Sequence, residues 1–141
     1  MEAKKKRKRK TGINVKAKKK MAVARAVIKK GGGKVKINKK GIELISPKYL
    51  RQFVQEPLKI AGNIAGQVDI RINVKGGGVV SQVVAARAAI AKALVRFSKD
   101  QKLKERMHNY DRLLLVDDVR RKETKKPLGK GARSKRQASK R

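Results

Sequence analysis

The last eleven residues, Gly131-Ala132-Arg133-Ser134-Lys135-Arg136-Gln137-Ala138-Ser139-Lys140-Arg141, carry five cations, no acid and no apolar side chain larger than alanine. A segment of this kind cannot bury enough apolar surface to offset the entropy lost in ordering it. It takes its order from a partner, and that partner should be polyanionic. The other end is similar. Lys4 to Lys20 holds 11 cations and no acid, and Arg120 to Arg141 holds 11 cations against the single acid Glu123. The stretch between, Met21 to Val119, has 20 cations and 8 acids. The expected organisation is a basic N-terminal extension over 1–20, an α/β body over 21–110 and an extended basic tail over 111–141.

The 141 residues sum to a formal net charge of +32. A free globule with that charge repels itself. Phosphate is the commonest cellular counter-charge, so nucleic acid is the leading partner class, with an anionic membrane surface as the weaker alternative. No apolar stretch approaches the roughly 20 residues that span a bilayer. No apolar segment follows the basic start, which argues against a secretory signal. The chain has no cysteine, so disulfides, cysteine-ligated zinc and thiol catalysis are excluded. The run Lys4-Lys5-Lys6-Arg7-Lys8-Arg9-Lys10 reads as a solvated tail or as a nucleic-acid contact, and would also pass as a nuclear-localisation patch. In the C-terminal arm, Arg, Gly, Gln and Ser alternate, which suits discrete phosphate and sugar contacts.

Within the body, Met21 to Lys29 reads as a strand, although its alanines also suit a helix. Val23, Arg25 and Val27 share one face; Ala22, Ala24, Ala26 and Ile28 share the other. Gly31-Gly32-Gly33 then suggests a hairpin turn into a returning strand over Lys34 to Asn38, with Val35 and Ile37 inward. Ser46-Pro47 is a helix start, Ser as N-cap and Pro at the first helical position. Tyr49, Leu50, Phe53 and Val54 supply its apolar stripe, and Pro57 closes or kinks it. A second helical piece covers Leu58 to Ala61, with Gly62 as C-cap. Val68 to Val74 alternates without fault: Val68, Ile70, Ile72 and Val74 inward, Asp69, Arg71 and Asn73 outward. After Gly76-Gly77-Gly78 a long helix runs from about Val79 to Phe97, with Val83, Ala86, Ile90, Leu94 and Phe97 on one side. Lys99 to Asn109 reads as a helix covering the sheet edge. Leu113-Leu114-Leu115-Val116 is the last apolar run and should anchor the tail. The order predicts a two-layer α/β sandwich, a small sheet with helices on one face.

Motifs for chemistry are scarce. The three glycines at 76–78 could hold a phosphate of a nucleic-acid backbone at a helix N-terminus, or could simply be a tight turn with close packing. Neither a P-loop nor a dinucleotide fingerprint occurs. His108 is the only histidine, and it has no neighbouring ligands for a metal. Asp117 and Asp118 are adjacent and diverge, which suits a loop or cap. No catalytic set stands out, so an enzyme, a small-molecule substrate and a cofactor are not expected. A DNA-packaging protein shares the charge but needs no long α/β body. An α/β phosphotransferase would need phosphate motifs that are missing.

Gly76-Gly77-Gly78-Val79-Val80-Ser81-Gln82-Val83-Val84-Ala85-Ala86-Arg87-Ala88-Ala89-Ile90-Ala91-Lys92-Ala93-Leu94 resembles the signature of the family of the universal ninth protein of the small ribosomal subunit. So does Tyr110-Asp111-Arg112 with Leu113 to Val116, followed by Arg120-Arg121, Glu123 and Lys125-Lys126. The ending Gly131-Ala132-Arg133, Gln137, Ser139 and Arg141 is similar to the archaeal and eukaryotic branch. The chain departs from the family at Ala17-Lys18-Lys19-Lys20, where Gly-Lys-Arg-Lys is usual, and at Val119, where proline is usual. Met1 to about Lys16 falls outside the resemblance.

The resemblance implies a small four-stranded type of sheet and a left-handed β-α-β crossover, against the usual hand. It implies a place in the cytoplasmic ribosome, with small-subunit ribosomal RNA of the head and neighbouring head proteins as partners. It also implies a tail that reaches the anticodon stem-loop of transfer RNA in the peptidyl site, through Ser139, Lys140 and Arg141. The ribosomal RNA contacts it points to are Lys18, Lys19, Lys20, Arg25, Gly76, Gly77, Gly78, Gln82, Arg120, Arg121, Lys125, Lys126, Arg133, Lys135 and Arg136. A thin basic tail can run between RNA helices, and a guanidinium at its tip can grip phosphate without reading sequence.

Overall fold

Alternate burial along Val68–Lys75 organises the body. Val68, Ile70, Ile72 and Val74 are buried, while Arg71, Asn73 and Lys75 are exposed. The computed structural model describes residues 12–134. Its strands are β1 (Ile13–Lys19), β2 (Ala22–Lys30), β3 (Val35–Ile37), β4 (Lys40–Gly41) and β5 (Val68–Lys75); its helices are α1 (Lys48–Ala61), α2 (Asn63–Gly66), α3 (Val79–Ser98) and α4 (Gln101–Tyr110). The sheet order is β1-β2-β5-β3-β4. β3 and β5 run parallel with α1 in the connection between them, and every other pair is antiparallel.

The sheet has five strands, not the four expected. The added edge strand β1 lies inside the stretch 1–20 read as an extension, so the body begins at Ile13 and not at residue 21. Val15 and Ala17 carry β1 into the core. They sit among lysines, and charge conceals an alternation that has only two small inward side chains. At the other boundary, Leu114 lies beyond residue 110 and is fully buried, in a 3-10 turn over Arg112–Leu114 that packs on α3 and α4.

The hairpin expected across Gly31-Gly32-Gly33 does not form. β2 pairs with β1 on one side and with β5 on the other. The long β5, with four buried β-branched residues, takes the slot beside β2 that the three-residue β3 would otherwise fill. The glycines instead wrap the start of β5: Gly31 N–H donates to the Gln67 carbonyl (3.0 Å), and Asp69 Oδ1 accepts from Gly32 and Lys34 N–H (3.0 Å each).

The buried strand residues share one side, and α3 lies across them on β1, β2 and β5, with α1 packed on α3. Alanines on both partners, Ala17, Ala22, Ala24 and Ala26 from the sheet and Ala85, Ala86, Ala88, Ala89, Ala91 and Ala93 from α3, let the layers approach closely. α3 is therefore buried on nearly all sides, not along one stripe. α1 departs from its expected form in two ways. Pro47, not Ser46, is the N-cap, and the helix continues through Pro57 to Ala61 as one piece. Leu50, Val54, Pro57 and Ala61 form one buried stripe, and that burial offsets the hydrogen bond proline cannot donate. Gly62 ends α1 with φ 54°, as its sequence suggested. α4 packs on α1 and α3, not on the sheet edge.

Candidate nucleic-acid interface

The sheet face away from the helices is open, and most of its outward charges are cationic. Four cross-strand rows cover it, one of them the opposite-charge pair Lys29 and Asp69; the other three are basic. Lys16 stands opposite Arg25, and Arg25 opposite Asn73. Asn14, Val27, Arg71 and Lys36 form a second row. Lys18, Val23 and Lys75 form a third. Neighbouring strands lie about 4.8 Å apart, so Lys16 faces Arg25, and Arg71 faces Lys36, at close range. Like charges directly opposite destabilise a sheet. A row built that way is relieved when an anion lies across it.

The face is also concave. A groove of about 850 Å³ is lined by Arg25, Lys36, Lys39, Arg71 and Lys75, with Asn38 and Asn73 between them. Arg25 also borders two neighbouring hollows, one with Lys16, Lys18 and Lys75, the other with Lys16 and Arg96. Among the described residues Asp69 is the only acid in any strand, and backbone N–H groups already occupy one of its oxygens. Asn38 closes the rim: its side-chain amide donates to the Val74 carbonyl (3.2 Å), and its Oδ1 accepts from Val74 N–H (2.8 Å). Tyr49, Phe53, Phe97 and Tyr110 are the four aromatics of the chain, and all four lie on helices.

The residues singled out from sequence fall into separate places. Arg25 is at the centre of the open face, with Lys18 at its margin. Lys20 is exposed in the turn between β1 and β2, with φ 53°. Gly76 and Gly77 take φ 80° and 69°. A Cβ on Gly76 would stand 2.5 Å from the Met21 carbonyl oxygen, and one on Gly77 would stand 3.2 Å from Ala22. Close approach to the β1–β2 turn therefore explains these two glycines. Gln82 Nε2 donates to the Gly76 carbonyl (3.3 Å), bracing the same loop. Arg121, Lys125 and Lys126 are exposed. Arg133 forks onto Glu123 through two bonds of 3.0 Å. Lys135, Arg136, Ser139, Lys140 and Arg141 lie outside the described residues.

Five strand cations of the open face were not singled out: Lys16, Lys29, Lys36, Arg71 and Lys75. Their signal was the basic half of each strand alternation, legible once the buried half is known.

Lys19, mostly covered, and Arg120, exposed on the tail itself, meet at the tail root. Both bind the Asp118 carboxylate, Arg120 through Nη2 (2.9 Å) and Nε (3.1 Å). These bonds, Arg120 first and Lys19 next, hold the Asp118 carboxyl well below the usual carboxylate range and raise the Arg120 guanidinium. Asp117 Oδ1 accepts from Lys92 Nζ (2.6 Å) and from the Lys18 backbone N–H (3.1 Å). Arg87, 8% exposed, pairs with Glu56 (2.6 Å) and Asp111 (2.8 Å) and lies over the Phe53 ring at 5.6 Å. It ties α1, α3 and the start of the tail together.

Among the described residues no group of three His, Cys, Asp or Glu could hold a metal ion. No helix there is long and apolar enough to cross a membrane.

The family model for ribosomal protein S9/S16 matches residues 17–141. The small ribosomal subunit protein uS9 of Methanococcus maripaludis (strain C5) is 47% identical over 129 residues, covering 90% of this chain and 96% of its own length. Its counterpart in Picrophilus torridus is 49% identical over 122 residues, covering 86% and 92%. The matched stretch takes in the open sheet face from β2 onward, the clamped tail root and the basic tail, so the chain belongs to the ribosomal protein S9/S16 family.

Proposed function

We propose that the protein is a structural, non-catalytic constituent of the small subunit of the cytoplasmic ribosome. Its body binds small-subunit ribosomal RNA in the head through the open sheet face. Its tail runs on to the anticodon stem-loop of the peptidyl-site transfer RNA, where Ser139, Lys140 and Arg141 make the contact. The observation that carries the body's part is the pairing of cations across neighbouring strands, Lys16 with Arg25 and Lys36 with Arg71, on a face whose strands hold one acid. The tail's part is supported by its composition: five cations and no acid in the last eleven residues. Exposed Tyr49 and Tyr110 on the helical side offer contact area for neighbouring head proteins.

Ultraviolet crosslinking of intact small subunits, with the crosslinked peptides mapped, tests both parts. Crosslinks from β2 and β5 to ribosomal RNA, and from Lys140 or Arg141 to bound transfer RNA, are the expected result. Body crosslinks confined to the helical side would sink the assignment of the sheet face. Unchanged transfer RNA affinity after deletion of Ser139 to Arg141 would sink the role of the tail.

A further inference from the structure

The tail leaves the body through a short segment that is held far more firmly than its composition suggests. Leu114 is fully buried. Asp117 and Asp118 follow, and their carboxylates diverge. Asp117 reaches α3 through Lys92 and the β1 backbone through Lys18 N–H. Asp118 reaches the end of β1 through Lys19 Nζ and folds the next turn of chain onto itself through Arg120 N–H (2.9 Å) and the Arg120 guanidinium. Asp118 has a side chain only 7% exposed, and its partner Lys19 17%. Beyond Arg120 the described residues make no hydrogen bond or ion pair back to the body; Glu123 with Arg133 and Gly131 with Ser134 pair only within the tail.

We infer that Asp117 and Asp118 are positioning residues that fix the direction in which the basic tail leaves the body. This rests on the reading that the tail serves transfer RNA. The physical reason is the lever arm. Residues 119–141 can extend at most about 80 Å. A root free to swivel starts the chain in any direction, whereas a root clamped on two elements starts it on one side of the body and confines the tip mostly to that side. Confinement raises the effective concentration of the tip at one target without any new contact there. Two acids do this in a segment flanked by cations because each finds donors on the body, and Asp118 stays ionised throughout the neutral range.

The test uses the absence of cysteine from the chain. Ala138→Cys carries an iron chelate that generates hydroxyl radicals, and the protein is assembled into small subunits with bound initiator transfer RNA. With both aspartates intact, one focused cluster of cuts is expected in the anticodon stem-loop. D117N/D118N keeps the shape of both side chains. It should incorporate equally well yet lower those cuts by about fivefold or more and scatter new ones over ribosomal RNA. Asp118→Lys alone should do the same, and adding Lys19→Asp should restore the cluster. A purely structural role would change incorporation and leave the position of the cuts alone. The same focused cluster in D117N/D118N overturns the inference. If deletion of Ser139 to Arg141 still weakens transfer RNA binding in that case, the tail's function stands without the clamp. No cut on transfer RNA from the parent Ala138→Cys subunit overturns both.

Discussion

Removing the guanidinium of Arg87 strands two carboxylates, Glu56 and Asp111, that are each about three-quarters covered. Arg87→Met should therefore destabilise the body by about 2–3 kcal/mol, below the full cost of breaking a wholly buried pair because water reaches both acids. Urea unfolding of the purified chain measures it. A second contrast separates neighbouring glycines. Gly76→Ala meets the Met21 carbonyl at 2.5 Å with φ 80°, whereas at Gly78 a Cβ has open space and no positive φ. The first should cost about 1–3 kcal/mol and the second well under about 1 kcal/mol, read as the difference in melting of the two variants. The sequence could not distinguish them, because three glycines in a row look alike until the β1–β2 turn is placed beside two of them. Arg87 was equally illegible, since its partners come from α1 and from the residue after α4. For Asp118, a carboxyl lowered on folding contributes stability above its ordinary titration range and loses it as pH falls below that range. The tail root should hold unchanged from neutral pH down to about 5 and loosen only in stronger acid. Exchange of the Arg120 amide hydrogen, which Asp118 accepts, followed across that pH range reports it.

At the scale of elements, the open sheet face makes the most direct forecast. Arg25→Ala and Arg71→Ala remove exposed charge from opposed rows. Each should weaken binding of small-subunit ribosomal RNA nearly uniformly across sequences and lower the salt slope of log K by about one for each phosphate no longer neutralised. Unfolding free energies should change by less than about 0.5 kcal/mol. Filter binding across a salt series reads the first effect. How far this surface could be read in advance varied by strand. β5 was plain, because four β-branched residues alternate with polar ones. β2 was plain for its faces and wrong for its neighbour, because a glycine turn signals a hairpin only when no stronger strand competes for the edge. β1 was hidden because its two inward residues, Val15 and Ala17, sit among lysines. The cationic face is the sum of these three strands and of Lys36 on β3, so Arg25 alone was singled out in its centre.

The whole molecule carries +32 charges on 141 residues, and its body holds opposed cations at strand spacing. Screening should therefore stabilise it. Raising salt from about 0.05 M to about 0.5 M shortens the Debye length several-fold and should raise the melting temperature of the purified chain, and a short RNA duplex should raise it further by binding the folded state. A melting temperature indifferent to both would mean that the rows are not strained. Composition made this behaviour legible from the start, whereas the side of the body that bears the charge came only with the fold. The placement of the aromatics then reaches beyond the protein. With Tyr49, Phe53, Phe97 and Tyr110 all on helices, the groove has no ring on which an unpaired base could stack. Its lysines, arginines and asparagines suit above all the phosphate ridge of a helix. An RNA helix held that way would be free to trade one base pair for another over evolutionary time, provided each exchange is compensated on the opposite strand.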